Sequence, residues 1–89
     1  MQSIESLLAR PEAEIADFLT RQIVGHMLMN PQLGMGEASR DVVAWLAITY
    51  QVEKTRIFAV MAFFMARHAK DLVAAIMNAG ITDEERFTS

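Results

Sequence analysis

Apolar residues recur every three or four positions along most of the chain, which is the spacing of an amphipathic helix rather than of a strand. The pattern is strongest between Thr55 and Gly80, a segment that includes an uncharged run of ten residues, 57–66. Its apolar stripe consists of Ile57, Val60, Met61, Phe64, Met65, His68, Ala69, Leu72, Val73 and Ile76. We therefore predict a helix over this segment and expect the rest of the chain to be arranged around it.

The end of this helix is marked by Asn78-Ala79-Gly80-Ile81. Glycine suits the left-handed conformation that ends many helices, and an isoleucine after it can fold back onto the last turn. The next residues, Thr82-Asp83-Glu84-Glu85, form a capping-box sequence with acids where the helix dipole favours them. We therefore predict a stop at Gly80, followed by one short C-terminal helix through Phe87.

The first half of the predicted helix is apolar around its whole circumference. Phe63 falls between Arg56, Arg67 and Lys70, on the side that should face water. A domain of this size is too small to wrap one helix completely, and closed symmetric pairing is the usual way to hide such a surface. We therefore expect a homo-oligomer, most simply a two-fold dimer.

Start and stop signals predict two helices ahead of these. Ser3 can cap a short first helix, and Pro11 suits the start of a second one. Asn30-Pro31 ends the second helix, because the residue before a proline is disfavoured in the helical conformation. The segment 31–36 contains two glycines and a proline and is the predicted linker.

A third helix is predicted after the linker, from about Glu37 or Arg40, with Ser39 as its cap. No glycine or proline separates this helix from the segment that begins at Thr55. One continuous helix through both would be about 60 Å long, whereas a compact domain of this length measures about 30 Å across. We therefore expect the chain to turn within residues 50–54.

Composition supports a folded domain that shares apolar surface with a partner. Apolar residues make up 53% and charged residues 21%, with a net charge of −3. The fold prediction is all-α: one domain over residues 1–89, a small helical bundle of three to four helices plus a short C-terminal helix, which self-associates. The absence of cysteine excludes disulfides, zinc-thiolate sites and cysteine nucleophiles. The opening residues do not form a secretion leader and the longest uncharged run is too short to span a membrane, so we expect a cytoplasmic protein with no membrane partner.

The candidate chemistry is sparse. The two histidines are His26 and His68, and the residues three positions before them are Ile23 and Met65, where a di-iron bundle would have glutamate. His68 and Asp71 share a helix face, which is typical of a histidine at the edge of an apolar stripe. No glycine-rich loop continues into the Lys-Ser/Thr of a phosphate site. We predict no catalytic, cofactor-binding or metal-binding residue, no cofactor, and no enzymatic activity.

Seven methionines and five phenylalanines supply candidate partner surfaces. Methionine is flexible and polarisable and fills irregular cores, but it also serves adaptable binding surfaces. Core filling is the favoured alternative for the two methionines of the strongest stripe, whereas both roles stay open near the linker. The predicted oligomer interface comprises Phe58, Met61, Phe63, Phe64 and Met65, and the predicted groove for a partner helix comprises Met27, Met29 and Met35.

Residues 46–60 also resemble the helix-turn-helix of bacterial repressors. Ala47, Val52, Ile57 and Val60 occupy the apolar positions that seat the two helices of that motif. The sequence departs from the pattern at Gln51, where the family usually has glycine. It departs again after the start of the second helix, which is apolar where a recognition helix carries polar side chains to base edges.

The resemblance implies a DNA-binding function for residues 42–64. The DNA contacts would come from basic and polar residues at the start of the second helix and beyond it: Lys54, Thr55, Arg56, Arg67 and Lys70. The acidic overall charge favours the other interpretation. The primary prediction is thus a small non-enzymatic protein–protein interaction or regulatory module that acts through an apolar, Met-rich helical surface, with a protein partner. The alternative is a helix-turn-helix transcriptional regulator.

Overall fold

Helices make up the regular structure of residues 3–88, the part of the chain that the computed structural model describes. No strand occurs within that range, so the all-α prediction is confirmed. Four longer helices are flanked by a short one at each end. The elements are α1 (Ile4–Leu8), α2 (Glu12–Met29), α3 (Met35–Tyr50), α4 (Lys54–Arg67), α5 (Ala69–Asn78) and α6 (Glu85–Thr88).

The core lies between α2 and the three helices that pack on it, α3, α4 and α5. The inward stripe of α2 follows i, i+4 spacing, and its members are at most 2% exposed: Ile15, Leu19, Ile23 and Met27. By contrast, α4 buries only Ile57 and Met61. The expectation that the 55–79 segment is central was therefore wrong, since α2 buries six residues and α4 only two.

The predicted helix over 55–79 is also divided in two. At His68 the backbone leaves the helical region, with φ −123° and ψ 26°, and α5 begins at the next residue. Hydrogen bonds still cross the break, because the His68 N–H bonds the Phe64 carbonyl at 3.1 Å and its carbonyl accepts from Leu72 at 3.1 Å. No helix in residues 3–88 is both long enough and apolar enough to cross a membrane.

The turn between α3 and α4 confirms the predicted change of direction. Gln51 adopts the left-handed conformation at φ 55°, and the Val52 N–H bonds the Ala47 carbonyl at 3.0 Å. The same motif ends α5: Gly80 has φ 90°, and the Ile81 N–H reaches back to the Ile76 carbonyl at 3.3 Å. The predicted stop at Gly80 is therefore confirmed.

The predicted caps were only partly right. Ser3 does cap α1, accepting from the Ser6 N–H at 3.2 Å. Helix α3, however, starts at Met35 rather than at 37 or 40, and Ser39 lies inside it, donating to the Met35 carbonyl at 2.8 Å. The side chain that bonds the backbone at the start of α3 is that of Glu37, whose carboxylate accepts a hydrogen bond from the Gly34 N–H at 3.2 Å. The linker is shorter as a result.

The C-terminal helix α6 is held against the connection between α2 and α3 by one guanidinium group. Arg86 donates to the carbonyls of Met27 at 2.6 Å, Leu33 at 2.9 Å and Asn30 at 3.3 Å. These carbonyls include some that α2 leaves without a helical partner at its end. At the start of α6, the Asp83 side chain accepts a hydrogen bond from the Glu85 N–H at 3.1 Å. This capping residue is one position after Thr82, the first residue of the predicted capping box.

Candidate interaction surface

Three of the large apolar side chains that face solvent lie on α3 and at the start of α4. Trp45 is 53% exposed, Ile48 76% and Phe58 61%. Trp45 and Ile48 are three residues apart, so they are neighbours on one side of α3. The opposite side of α3 supplies the core with Val42, Leu46, Ala47 and Tyr50.

Helix α3 is therefore apolar on two opposite sides, and only one of them is covered. Ala44 is one helical turn before Ile48, and it lines a groove together with Phe58 of α4. We call Ala44, Trp45, Ile48 and Phe58 the α3 surface. A helix that packs one face into a core normally carries polar residues opposite, so this second apolar side needs a different explanation.

One groove lies beside the α3 surface, between α2 and α3. Its apolar lining comes from Gly25, Met29, Val42 and Trp45. A Cβ added at Gly25 would meet nothing within 4 Å, so the floor of this groove is open. His26 crosses between the helices and contacts Asp41 at 3.1 Å.

A second groove lies on the other side of α3, between α3 and α4. We call it the α3/α4 groove, and its lining is Arg40, Val43, Ala44, Lys54, Thr55 and Phe58. No acidic residue belongs to that lining. The groove therefore combines an apolar wall with two cations.

The predicted oligomer interface is split by the structure. Met61 is 6% exposed and belongs to the core, and Phe64 and Met65 pack against that core. Met61 is thus covered within one chain and cannot belong to an exposed interface, whereas Phe64 and Met65 are only partly buried. Phe58 and Phe63 are the two that remain exposed.

Phe63 remains 55% exposed although two side chains touch it. Its ring meets that of Phe64 edge to face at a centroid distance of 5.1 Å, and the guanidinium of Arg67 lies 5.5 Å from its centroid. Such contacts fix the orientation of the ring but leave its outer face uncovered.

The three methionines of the predicted groove differ in exposure. Met27 is fully buried in the core and Met35 is partly buried against it, whereas Met29 is 82% exposed. Met27 is therefore covered within one chain and cannot line an exposed groove. Met29 lines the groove between α2 and α3 instead.

The candidate DNA contacts lie on several sides of the molecule. Lys54 and Thr55 line the α3/α4 groove, whereas Arg56 pairs with Glu5 at 3.3 Å on the side of α1. Arg67 pairs with Glu12 at 3.2 Å, and Lys70 is exposed in α5. The cation that the structure places beside Lys54 is Arg40, which the sequence reading did not select because it precedes the turn by eleven residues.

The backbone between α3 and α4 nevertheless has a helix-turn-helix feature. Gln51 takes the left-handed conformation that the usual glycine of such a turn adopts. Ala47 and Ile57 are buried, and Val52 and Val60 pack against the core, so all the seating positions point inward. The exposed residues of α4 are largely apolar, including Phe58, Ala59, Ala62 and Phe63.

A cluster of charged and imidazole groups joins α2 to the break between α4 and α5. Glu12 contacts His68 Nε2 at 2.9 Å and Arg67 Nε at 3.2 Å. The hydrogen bond from His68, opposed by desolvation and reinforced by Arg67, holds the pKa of Glu12 below its ordinary value. His68 Nδ1 lies 3.5 Å from Asp71. Within residues 3–88 no three such side chains are arranged to hold a metal ion.

Only part of this cluster was predictable from the sequence. The pair His68 and Asp71 follows from helical spacing, but Glu12 is 56 positions away along the chain and no local pattern connects it. These side chains connect α2 to α4 and α5, and they pair with one another. Comparison of the chain with protein-family models, with curated proteins and with solved structures found no match.

Proposed function

We propose that this chain is a non-enzymatic protein–protein interaction module, of regulatory use, that acts through the α3 surface. The observation that carries the proposal is the exposure of Trp45 and Ile48, which are neighbours on a helix whose other side already supplies the core. Phe58 of α4 is exposed as well, and it shares a groove with Ala44 of α3. Fully burying one such side chain is worth about 1.5–3 kcal/mol, and aromatic residues dominate binding energy at interfaces. A protein partner covering these three would recover that free energy.

The shape of the surface also suits a helix or an extended segment. The ridge formed by α3 is bordered by a groove on each side, so a partner can lay side chains into either groove while covering Trp45 and Ile48. The binding side chains are aromatic and aliphatic rather than methionine-rich, because most methionines near α3 point inward. The partner surface is therefore displaced from the one predicted from the sequence.

Two further elements belong to the same proposal. Phe63 lies outside the α3 surface and is a further exposed aromatic residue, which supports homodimer formation. A cytoplasmic location is consistent with a chain that contains no cysteine.

The experiment that tests the main proposal compares retained proteins on three immobilised forms of the full chain. These are the unaltered protein, Ile48→Ser on the α3 surface, and Met77→Ser, which removes another exposed apolar side chain (54%) on α5. We expect a partner to be held by the unaltered chain and by Met77→Ser, with a loss of about tenfold in affinity for Ile48→Ser. Equal retention by all three would contradict the proposal.

The second candidate function, DNA binding, is favoured by one observation, the left-handed Gln51 in a three-residue turn between two helices. A DNA-binding surface needs convergent cations, and Arg56 and Arg67 are instead paired with Glu5 and Glu12.

We expect no useful affinity for duplex DNA. The measurement is fluorescence anisotropy of a labelled duplex titrated with the protein at low and at physiological salt. Submicromolar binding that weakens steeply with salt would favour the helix-turn-helix regulator over the interaction module.

A further inference from the structure

The wall of the α3/α4 groove is apolar and accessible. Val43 and Ala44 form the α3 side, and Phe58, 61% exposed, forms the α4 side. Val43 is itself 7% exposed, so the groove reaches down to the edge of the core. An occupant of this groove must bring apolar side chains.

Two cations border that wall without an ion pair inside the described part of the chain. Arg40 and Lys54 are both exposed, whereas Arg21, Arg56 and Arg67 each lie within salt-bridge distance of a carboxylate. The acid next to Arg40 in sequence, Asp41, contacts His26 at 3.1 Å. The groove therefore carries positive charge that the chain itself leaves uncompensated.

The start of α4 adds an energetic reason for an acidic occupant. The first turn contains Lys54 and Arg56 and no acid, and the one acid beside it, the N-cap residue Glu53, makes no side-chain capping hydrogen bond. Cations at the positive end of a helix dipole are unfavourable. Carboxylates placed in the groove would relieve this repulsion.

We propose that the α3/α4 groove binds an acidic amphipathic helical segment of a partner protein. Leucine-like side chains of that segment cover Phe58 and Val43, and its flanking carboxylates pair with Arg40 and Lys54. The proposal rests on the proposed function and specifies the chemistry of the partner.

Two other occupants fit less well. A nucleic-acid backbone would satisfy the cations but would leave the exposed ring of Phe58 facing phosphates. A second copy of the chain, docked by two-fold symmetry through this groove, would bring Arg40 and Lys54 of both copies together, and like charges at an interface cost affinity.

The test titrates the full chain into a fluorescently labelled peptide of about 18 residues, five turns of helix, with leucines on one face and glutamates beside them. Two comparison peptides replace every glutamate by glutamine or by lysine. We expect the acidic peptide to bind, the glutamine peptide to bind at least fivefold more weakly, and the lysine peptide not to bind.

Matched variants locate the site. Lys54→Gln is expected to lower the affinity for the acidic peptide about fivefold, and Phe58→Ser is expected to lower it about tenfold. Lys70→Gln is the control, because Lys70 is also an exposed cation in the first turn of a helix but lies outside the groove, and it should change affinity less than twofold. The melting temperature of Lys54→Gln should not fall, which separates lost binding from lost folding.

Several results would overturn the proposal. These are no binding of the acidic peptide, equal binding of the acidic and lysine peptides, equal effects of Lys54→Gln and Lys70→Gln, or displacement of the peptide by duplex DNA. A dimer that Phe58→Ser converts to monomer would assign the groove to a second copy instead. If the acidic peptide does not bind but Ile48→Ser still loses a protein partner, the proposed occupant of the groove is wrong and the proposed function stands. If the peptide does not bind and Ile48→Ser retains the same proteins as the unaltered chain, both proposals are wrong.

Discussion

Two residues with left-handed backbone, Gln51 and Gly80, end α3 and α5 with the same hydrogen-bonding motif. Only glycine adopts this conformation without a steric cost, because it has no Cβ. Both turns therefore require a left-handed backbone, although one is occupied by glycine and the other by glutamine.

At Gly80 a β-branched side chain would be strained. Gly80→Val is expected to lower the free energy of unfolding by roughly 1–2 kcal/mol, although a Cβ there meets no neighbouring atom within 4 Å. The cost comes from φ 90° alone. Urea unfolding followed by the fluorescence of Trp45 measures it, and an unchanged midpoint would show that α5 does not end at this residue in solution.

At Gln51 the opposite change is expected to stabilise. Gln51→Gly relieves the left-handed conformation at φ 55° and should raise the free energy of unfolding by about 1 kcal/mol, less the entropy that glycine adds to the unfolded chain. Gln51→Ala is the control and should stay near the unaltered protein, since alanine keeps the Cβ. A loss of stability in Gln51→Gly would mean that the glutamine side chain contributes more than the backbone strain costs.

At the scale of elements, Glu12 connects the first turn of α2 to the junction of α4 and α5 through His68 and Arg67. Because the pKa of Glu12 is lowered in the folded chain, folding favours its ionised form. Its contribution is fully present above the unfolded value, near 4.5, and is lost as pH falls through the lower folded pKa.

Glu12→Gln should therefore be less stable than the unaltered chain at neutral pH, and the difference should shrink at an acid pH below 4.5, as the carboxyl of Glu12 becomes protonated in the folded chain. The control is Glu14→Gln, a change of the same charge in the same first turn of α2. Urea unfolding at the two pH values checks this. A difference that persists in acid would assign the effect to packing rather than to ionisation.

The elements themselves were predictable where one local pattern determines them. The stripe of α2 and the stops at Asn30 and Gly80 follow from spacing and backbone chemistry within a few residues. The break at His68 was not predictable, because neither glycine nor proline marks it and its partner Glu12 lies 56 positions away. The start of α3 was missed for a related reason, since Gly34 has no side chain to announce a cap and Glu37 supplies the bond.

The candidate surface was likewise predictable only in part. Exposed positions such as Phe58 and Phe63 could be selected from the helical wheel, but which methionines turn inward depends on the neighbours of each helix. Met61 and Met65 lie on the stripe that meets α2, and Met27 lies in the stripe of α2 itself. Arg40 became part of the α3/α4 groove only when the turn brought α3 against α4.

At the scale of the whole molecule, the bundle measures 35 × 23 × 19 Å, with a radius of gyration of 12.6 Å. These dimensions fit one folded chain and explain why the chain must turn after Tyr50. They also leave apolar side chains on two separate sides, the α3 surface and the side of α4 that carries Phe63. A molecule this small has too few elements to cover both.

The final prediction is that two copies pair through Phe63. In the single chain this ring is 55% exposed and held in place by Phe64 and Arg67, so pairing across a two-fold axis would bury it on both copies. Burial of a phenylalanine is worth roughly 1.5–3 kcal/mol per copy. Light scattering at micromolar concentration should give twice the chain mass of 10.0 kDa, and Phe63→Glu should shift the equilibrium toward monomer. Met77→Glu, at an equally exposed position on α5, should stay dimeric. A mass of one chain for the unaltered protein would show that Phe63 stays in contact with water.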